Sequence, residues 1–115
     1  MANILRLVAP RVSSETSSAT PTINTDNVDA HSITALATAI TSFTTNLSGT
    51  PTNFQKLLIR IKDDGTARAL SFGASFGNGS ATLPTTTVAG KTLLVALIYD
   101  SVDSKWYCES VGSRP

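Results

Sequence analysis

Residue types that often carry chemistry are nearly missing from this chain, which has one cysteine, one histidine and one tryptophan in 115 residues. Cys108 has no partner for an intramolecular disulfide, so a hydrophobic core must hold the fold without covalent staples. His31 has no cysteine or carboxylate at a metal-ligand spacing along the sequence, which leaves a zinc site unsupported.

Charge of one sign is also lacking. Nine Lys and Arg stand against eight Asp and Glu, for a net charge of +1, and the cations are scattered. Phosphate backbones are bound by clustered Lys and Arg, so no nucleic-acid partner is expected. No apolar run approaches the roughly eighteen residues that a membrane span requires. The apolar stretch near the start, Ile4 to Ala9, is short and carries Arg6, unlike a secretory signal. These absences predict a soluble, non-secreted chain with no membrane partner.

Catalytic motifs are missing in the same way. No G-x-S-x-G is present to hold a nucleophile on a constrained turn. Asp63-Asp64 lacks the regular ligand spacing of a calcium loop. Gly73, Gly77 and Gly79 are followed by no Lys-Ser/Thr pair, so they do not form a phosphate-binding loop. The chain reads as a non-enzyme without metal or cofactor.

What is present is Thr and Ser in abundance, with Glu rare. β-Branched residues fit a pleated surface and lose χ1 freedom in a helix, so the prediction is an all-β chain. Its length suits one domain with a real core. The clearest signal runs from Gly49 to Phe72. Gly49-Thr50-Pro51 makes a turn. Leu57, Ile59 and Ile61 alternate with Lys56, Arg60 and Lys62, Leu58 lying among the cations. Asp63-Asp64-Gly65 then predicts a tight hairpin turn into a returning strand, Thr66 to Phe72. Upstream, Thr20 to Asp26 reads as a short first strand. His31 to Leu47 reads as two strands, near 32–40 and 42–48, with a short helix capped by Ser32 as the alternative.

Downstream, Gly73 to Ser80 reads as a loop with Phe76 folding back to the core. Ala81 to Thr87 reads as an edge strand or extended connection, interrupted by Pro84. Lys91 to Tyr99 is the most apolar run, with Leu94, Ala96 and Ile98 on one side and Leu93, Val95, Leu97 and Tyr99 on the other. A strand apolar on both sides must be covered on both sides, and the expected second cover is a copy of the same chain, with an N-terminal segment folding over it as the alternative. Lys105 to Val111 reads as the last strand, with Trp106 and Cys108 inward and Tyr107 and Glu109 outward; Ser113 to Pro115 reads as a free end. At the other terminus, residues 1–20 divide into an apolar tip and a polar Ser/Thr spacer. That order of parts predicts an extended arm (1–20) ahead of a folded domain (21–115).

The words GTPT, QKLLIRIKDDGTARAL, LPTTT, GKTL, IY and KW stand in that order between Gly49 and Trp106. Over Thr20 to Val111 the chain resembles a module that recurs in tailed-bacteriophage and prophage virion proteins. The resemblance implies a small antiparallel β-sandwich, jelly-roll-like, found in head-decoration and fibre-associated components, commonly as homotrimers and without catalytic residues. It implies a capsid decoration (cement) protein on the virion surface, with the major capsid protein and sister subunits as partners. On that expectation Ile4, Leu5, Arg6, Leu7 and Val8 form the capsid-binding arm. Leu93, Val95, Leu97, Tyr99 and Tyr107 then form the oligomer interface. The alternative is a tail-fibre or neck-associated module that recognises a host surface glycan around Phe76, Asn78 and Tyr107.

Overall fold

In the computed structural model residues 9–115 are described. The arm tip Ile4, Leu5, Arg6, Leu7 and Val8 lies outside the described residues. The fold is all-β: 46% of the described residues are strand. No helix occurs among the described residues, hence none long and apolar enough to cross a membrane. Eight strands follow in order: β1 (Val12–Glu15), β2 (Ile23–Asn24), β3 (Ala30–Leu36), β4 (Leu47–Ser48), β5 (Lys56–Asp63), β6 (Phe76–Asn78), β7 (Thr92–Asp100) and β8 (Lys105–Arg114). Six of them form one sheet in the order β1-β3-β5-β7-β8-β6, and β2 pairs with β4 in a small second sheet.

The first half coils like a short solenoid. β1, β3 and β5 lie side by side in parallel, and β2 and β4 pair in parallel. A parallel bridge joins Ile40 to Leu70. Parallel neighbours require a crossover between them, and here each crossover is a β-strand corner rather than a helix. The corner chemistry is visible in the sequence. Asn24 Oδ1 accepts from the Asp26 N–H at 3.0 Å, and Asp26 Oδ1 accepts from the Thr50 N–H at 2.8 Å. Gly49 closes the next corner at φ 110°, where a side chain would collide with Thr25. In the second half β5 pairs with β7 and β7 with β8 antiparallel, while β6 closes the far edge parallel to β8.

The sheet is therefore mixed, not antiparallel throughout. The expected hairpin is also corrected. β5 forms as predicted, but its neighbours are β3 and β7, and no strand returns over 66–72. Asp63 explains why. It is 3% exposed and accepts from the Gly65 N–H at 3.0 Å, the Thr87 hydroxyl at 2.7 Å and the Gly90 N–H at 2.8 Å. A carboxylate so placed is a tie between three segments, not a solvated turn residue. The chain leaves the sheet after Asp63, touches its far edge as β6 and returns beside β5 only as β7. Burial pushes the Asp63 carboxyl up, yet the three donated hydrogen bonds outweigh it and hold the group below the usual carboxylate range.

Three further expectations change. Residues 10–20 are no free spacer, since Val12–Glu15 is an edge strand paired with Ala30–Ile33. The last strand runs on to Arg114 rather than stopping at Val111. Of the 42–48 segment only Leu47–Ser48 is strand. Its apolar anchor, Phe43, stacks on Phe72 at 4.7 Å, with Phe76 edge-on to Phe72 at 5.5 Å. This triad, with Ile23, Leu36 and the inward side chains of β5 and β7, makes one continuous core. Each such aliphatic side chain contributes about 1.5–3 kcal/mol on burial.

Candidate functional site: the uncovered face of the sheet

One face of the large sheet rests on the core and the other meets solvent. β5 alternates buried and exposed without a break, as its sequence predicts. β7 alternates as far as Leu97, beyond which Ile98, Tyr99 and Asp100 are all half-buried, and its two sides are exchanged relative to expectation. Leu93, Val95 and Leu97 are enclosed within a single protomer, so they cannot form an interface between protomers. The crossovers of the coiled half carry Ile40, Phe43 and Leu70 into the same core. Tyr99 is half-buried and rests on Trp106, ring centres 5.1 Å apart. Of the five expected interface residues, Tyr107 alone lies on the open face, cross-strand from Ile98.

The opposite face carries the other set, most of it in water although Ser32 is buried. Register places Val12, Ala30, Leu58, Ala96 and Ser110 in one row across five strands. The next row is Ser14, Ser32, Arg60, Leu94 and Gly112. Val12 is 56% exposed, Leu94 44% and Leu58 42%. Beyond Leu94 the face turns cationic, with Arg60, Lys62 and Arg114 around a shallow depression of about 200 Å³. None of the three forms an ion pair among the described residues; the Arg60 Nε–H donates to Ser32 Oγ at 3.4 Å. The sequence carried this signal: Leu58 interrupts the cationic side of β5, and only an apolar patch on that side explains it.

At the opposite end of the same face lies a groove of about 550 Å³, walled by Phe54, Ile98, Tyr107 and Glu109. Phe54 is 76% exposed and sits at φ 67°, a left-handed conformation that costs a bulky residue about 1–3 kcal/mol. Its turn is clamped: the Phe54 N–H donates to the Tyr99 carbonyl at 2.9 Å. The Gln55 side chain holds both the Thr52 N–H and the Thr25 carbonyl. Across the groove the Tyr107 hydroxyl donates to Asp103 at 2.8 Å; that bond, with burial and the nearby carboxylates, pushes the phenol pKa up. Glu109 accepts from the N–H and hydroxyl of Ser80 at 3.0 and 3.2 Å. Phe76, expected at a glycan surface, is instead buried in the aromatic triad, while Asn78 is exposed on β6, where its side chain accepts from the Leu83 N–H.

A third constellation was invisible along the sequence because it depends on parallel pairing. His31, 2% exposed, lies between Ser13 Oγ at 2.7 Å from Nδ1 and Glu15 Oε2 at 2.6 Å from Nε2. Ser13 and Glu15 are two residues apart on β1, so both point to the face that His31 occupies on β3. Serine, imidazole and carboxylate in a row suggest nucleophilic chemistry. The ring is closed to solvent, however, and both nitrogens are spent on β1, so the group acts as a clamp on the edge strand. Cys108 is buried, and burial pushes its thiol up, which suits a small core hydrophobe rather than a nucleophile. No cluster of three or more His, Cys, Asp or Glu suited to a metal ion exists among the described residues.

Comparison of the chain with protein-family models, with curated proteins and with solved structures finds no match, so the reading of the uncovered face rests on its own geometry.

Proposed function

We propose that this protein is a non-enzymatic virion component, a capsid decoration protein that attaches to the shell of a tailed phage as a homo-oligomer and stabilises it. The observation that carries the assembly part is the uncovered face. Val12, Leu58 and Leu94 stand exposed, with the half-buried Ala30 and Ala96 between them, as an apolar stripe above a core that is already complete. Patches of this kind on soluble domains mark interaction sites. The resemblance of the sequence to virion modules supplies the identity of the partner, the major capsid protein. A two-layer, sandwich-like stacking of the large sheet on the β2–β4 layer is part of the same reading.

Arg60, Lys62 and Arg114 at the end of the stripe favour a partner surface bearing carboxylates, which steers encounter and fixes register. Residues 4–8 precede β1, whose Val12 begins the stripe, and on this reading they extend the contact as the arm. Several copies bound through modest contacts hold the shell by effective concentration. Shells of a phage that encodes the chain, prepared without it, test the reading by co-sedimentation with added protein. Saturable binding by an oligomer, with a raised shell melting temperature, is the expected result. A protein that stays monomeric and leaves the shells bare would end the proposal.

A further inference from the structure

We infer that the groove at the loop end of the sheet, between Phe54 and Tyr107, is a binding site for an uncharged sugar. This site is separate from the apolar stripe and does not depend on shell attachment. Three observations meet there. First, Phe54 combines two unfavourable features, an apolar ring in water and a left-handed backbone, and the fold holds it there by hydrogen bonds from both flanks. A solvent-exposed ring fixed at the mouth of a groove is a stacking platform, and the apolar face of a pyranose is its natural complement.

Second, the polar lining matches hydroxyl groups. Asn53, Ser80, Asp100 and Glu109 offer both donors and acceptors around the groove. Glu109 is fixed in place by Ser80, and Gly79 is required beside it, since a Cβ there would strike Glu109 and the Cys108 carbonyl. The walls are therefore preorganised, which lowers the ordering cost of binding a small ligand. Third, at this end the carboxylates of Asp100, Asp103 and Glu109 outnumber the cations, Lys56 cross-strand from Ile98 and Lys105 cross-strand from Asp100. The balance is acidic and disfavours sialylated, uronic and sulfated sugars, which points to a neutral hexose or N-acetylhexosamine glycan.

The test uses the full-length, isotope-labelled protein in NMR titrations with maltotriose, cellotriose and triacetylchitotriose, each run separately. At least one neutral trisaccharide is expected to shift the amides of Asn53, Phe54, Ser101 and Tyr107 saturably, with millimolar affinity. 3′-Sialyllactose is expected to leave them in place. Phe54→Ala should weaken binding by about tenfold or more. Phe54→Gly should abolish it while raising the melting temperature, a pairing that a purely structural role for the ring would not produce. Four outcomes overturn the inference: no shifts at these amides with any neutral probe; equal binding by Phe54→Ala; shifts of the same amides by sialyllactose; or saturable binding of choline in the groove, which would make it a cation cage. Because no shell is present, failure here leaves the attachment assay untouched, and the reverse holds as well.

Discussion

Leu93, Val95 and Leu97 interleave on one strand with Leu94, Ala96 and Ile98, and the two sets scarcely differ in hydrophobicity. One set is sealed inside the protomer and the other lies open, 44% exposed at Leu94. What separates them is the route of the chain. The crossovers of the coiled half carry Ile23, Ile40, Phe43 and Leu70 to one side of the sheet, and that side becomes the core. The other side receives no crossover, only cationic ends, a strained turn and a stripe of aliphatics. Apolar residues on the covered side serve stability; their neighbours on the open side are left free for the contact proposed above.

The largest expected effect tests that separation directly. Leu97→Asp places a carboxylate in the closed core and should unfold the domain, while even Leu97→Ala should cost about 2–5 kcal/mol. Leu94→Ala, one face over, should cost less than about 1 kcal/mol. Urea denaturation of the variants reads the difference, and equal losses would dissolve the distinction between the faces.

Next in size is the tie beneath the covered side. Asp63→Ala leaves the Gly65 and Gly90 N–H groups and the Thr87 hydroxyl without their acceptor, a loss of about 2–3 kcal/mol. The sign of its pH dependence follows from a folded-state pKa below the unfolded one. The contribution of Asp63 is full above the ordinary carboxylate range and is lost as pH falls through the depressed folded value. Between neutral pH and about pH 3, Asp63→Asn should therefore lose less stability than the parent. An identical acid limb in both proteins would contradict the role given to this carboxylate.

Smaller effects are expected at the edge and at the groove. His31→Ala removes the two imidazole bonds to Ser13 and Glu15 on β1 and should cost about 1–2 kcal/mol. Hydrogen exchange should quicken first at the amides of Val12 to Glu15. If protection falls evenly over the whole sheet, the clamp is not local to the edge. Phe54→Gly should act in the opposite direction, stabilising by about 1 kcal/mol through release of backbone strain. Thermal denaturation reads it, and a destabilised variant would mean that the ring supports the fold.

Much of this architecture was legible in the sequence because period-2 alternation survives any strand order. β5 and β7 lie where their patterns put them, and Trp106 and Cys108 point inward as the spacing required. The sequence could not reveal which side of β7 the crossovers would take, since both sides are apolar. It also concealed parallel pairing, because the Asp-Asp-Gly turn has hairpin chemistry and yet closes a corner around a buried Asp63. The His31 clamp and the Phe54 platform depend on neighbours 16 to 18 residues distant on a parallel strand and on a left-handed turn. Neither leaves a periodic trace.

The central claim is that the open face, and not the sealed one, makes the contact for which the protein exists. The double variant Leu58→Asp/Leu94→Asp tests it in the shell co-sedimentation assay, with its fold checked by denaturation in parallel. A folded protein of near-parental stability that no longer sediments with shells is the predicted result. A folded double variant that binds shells as the parent does would contradict the account.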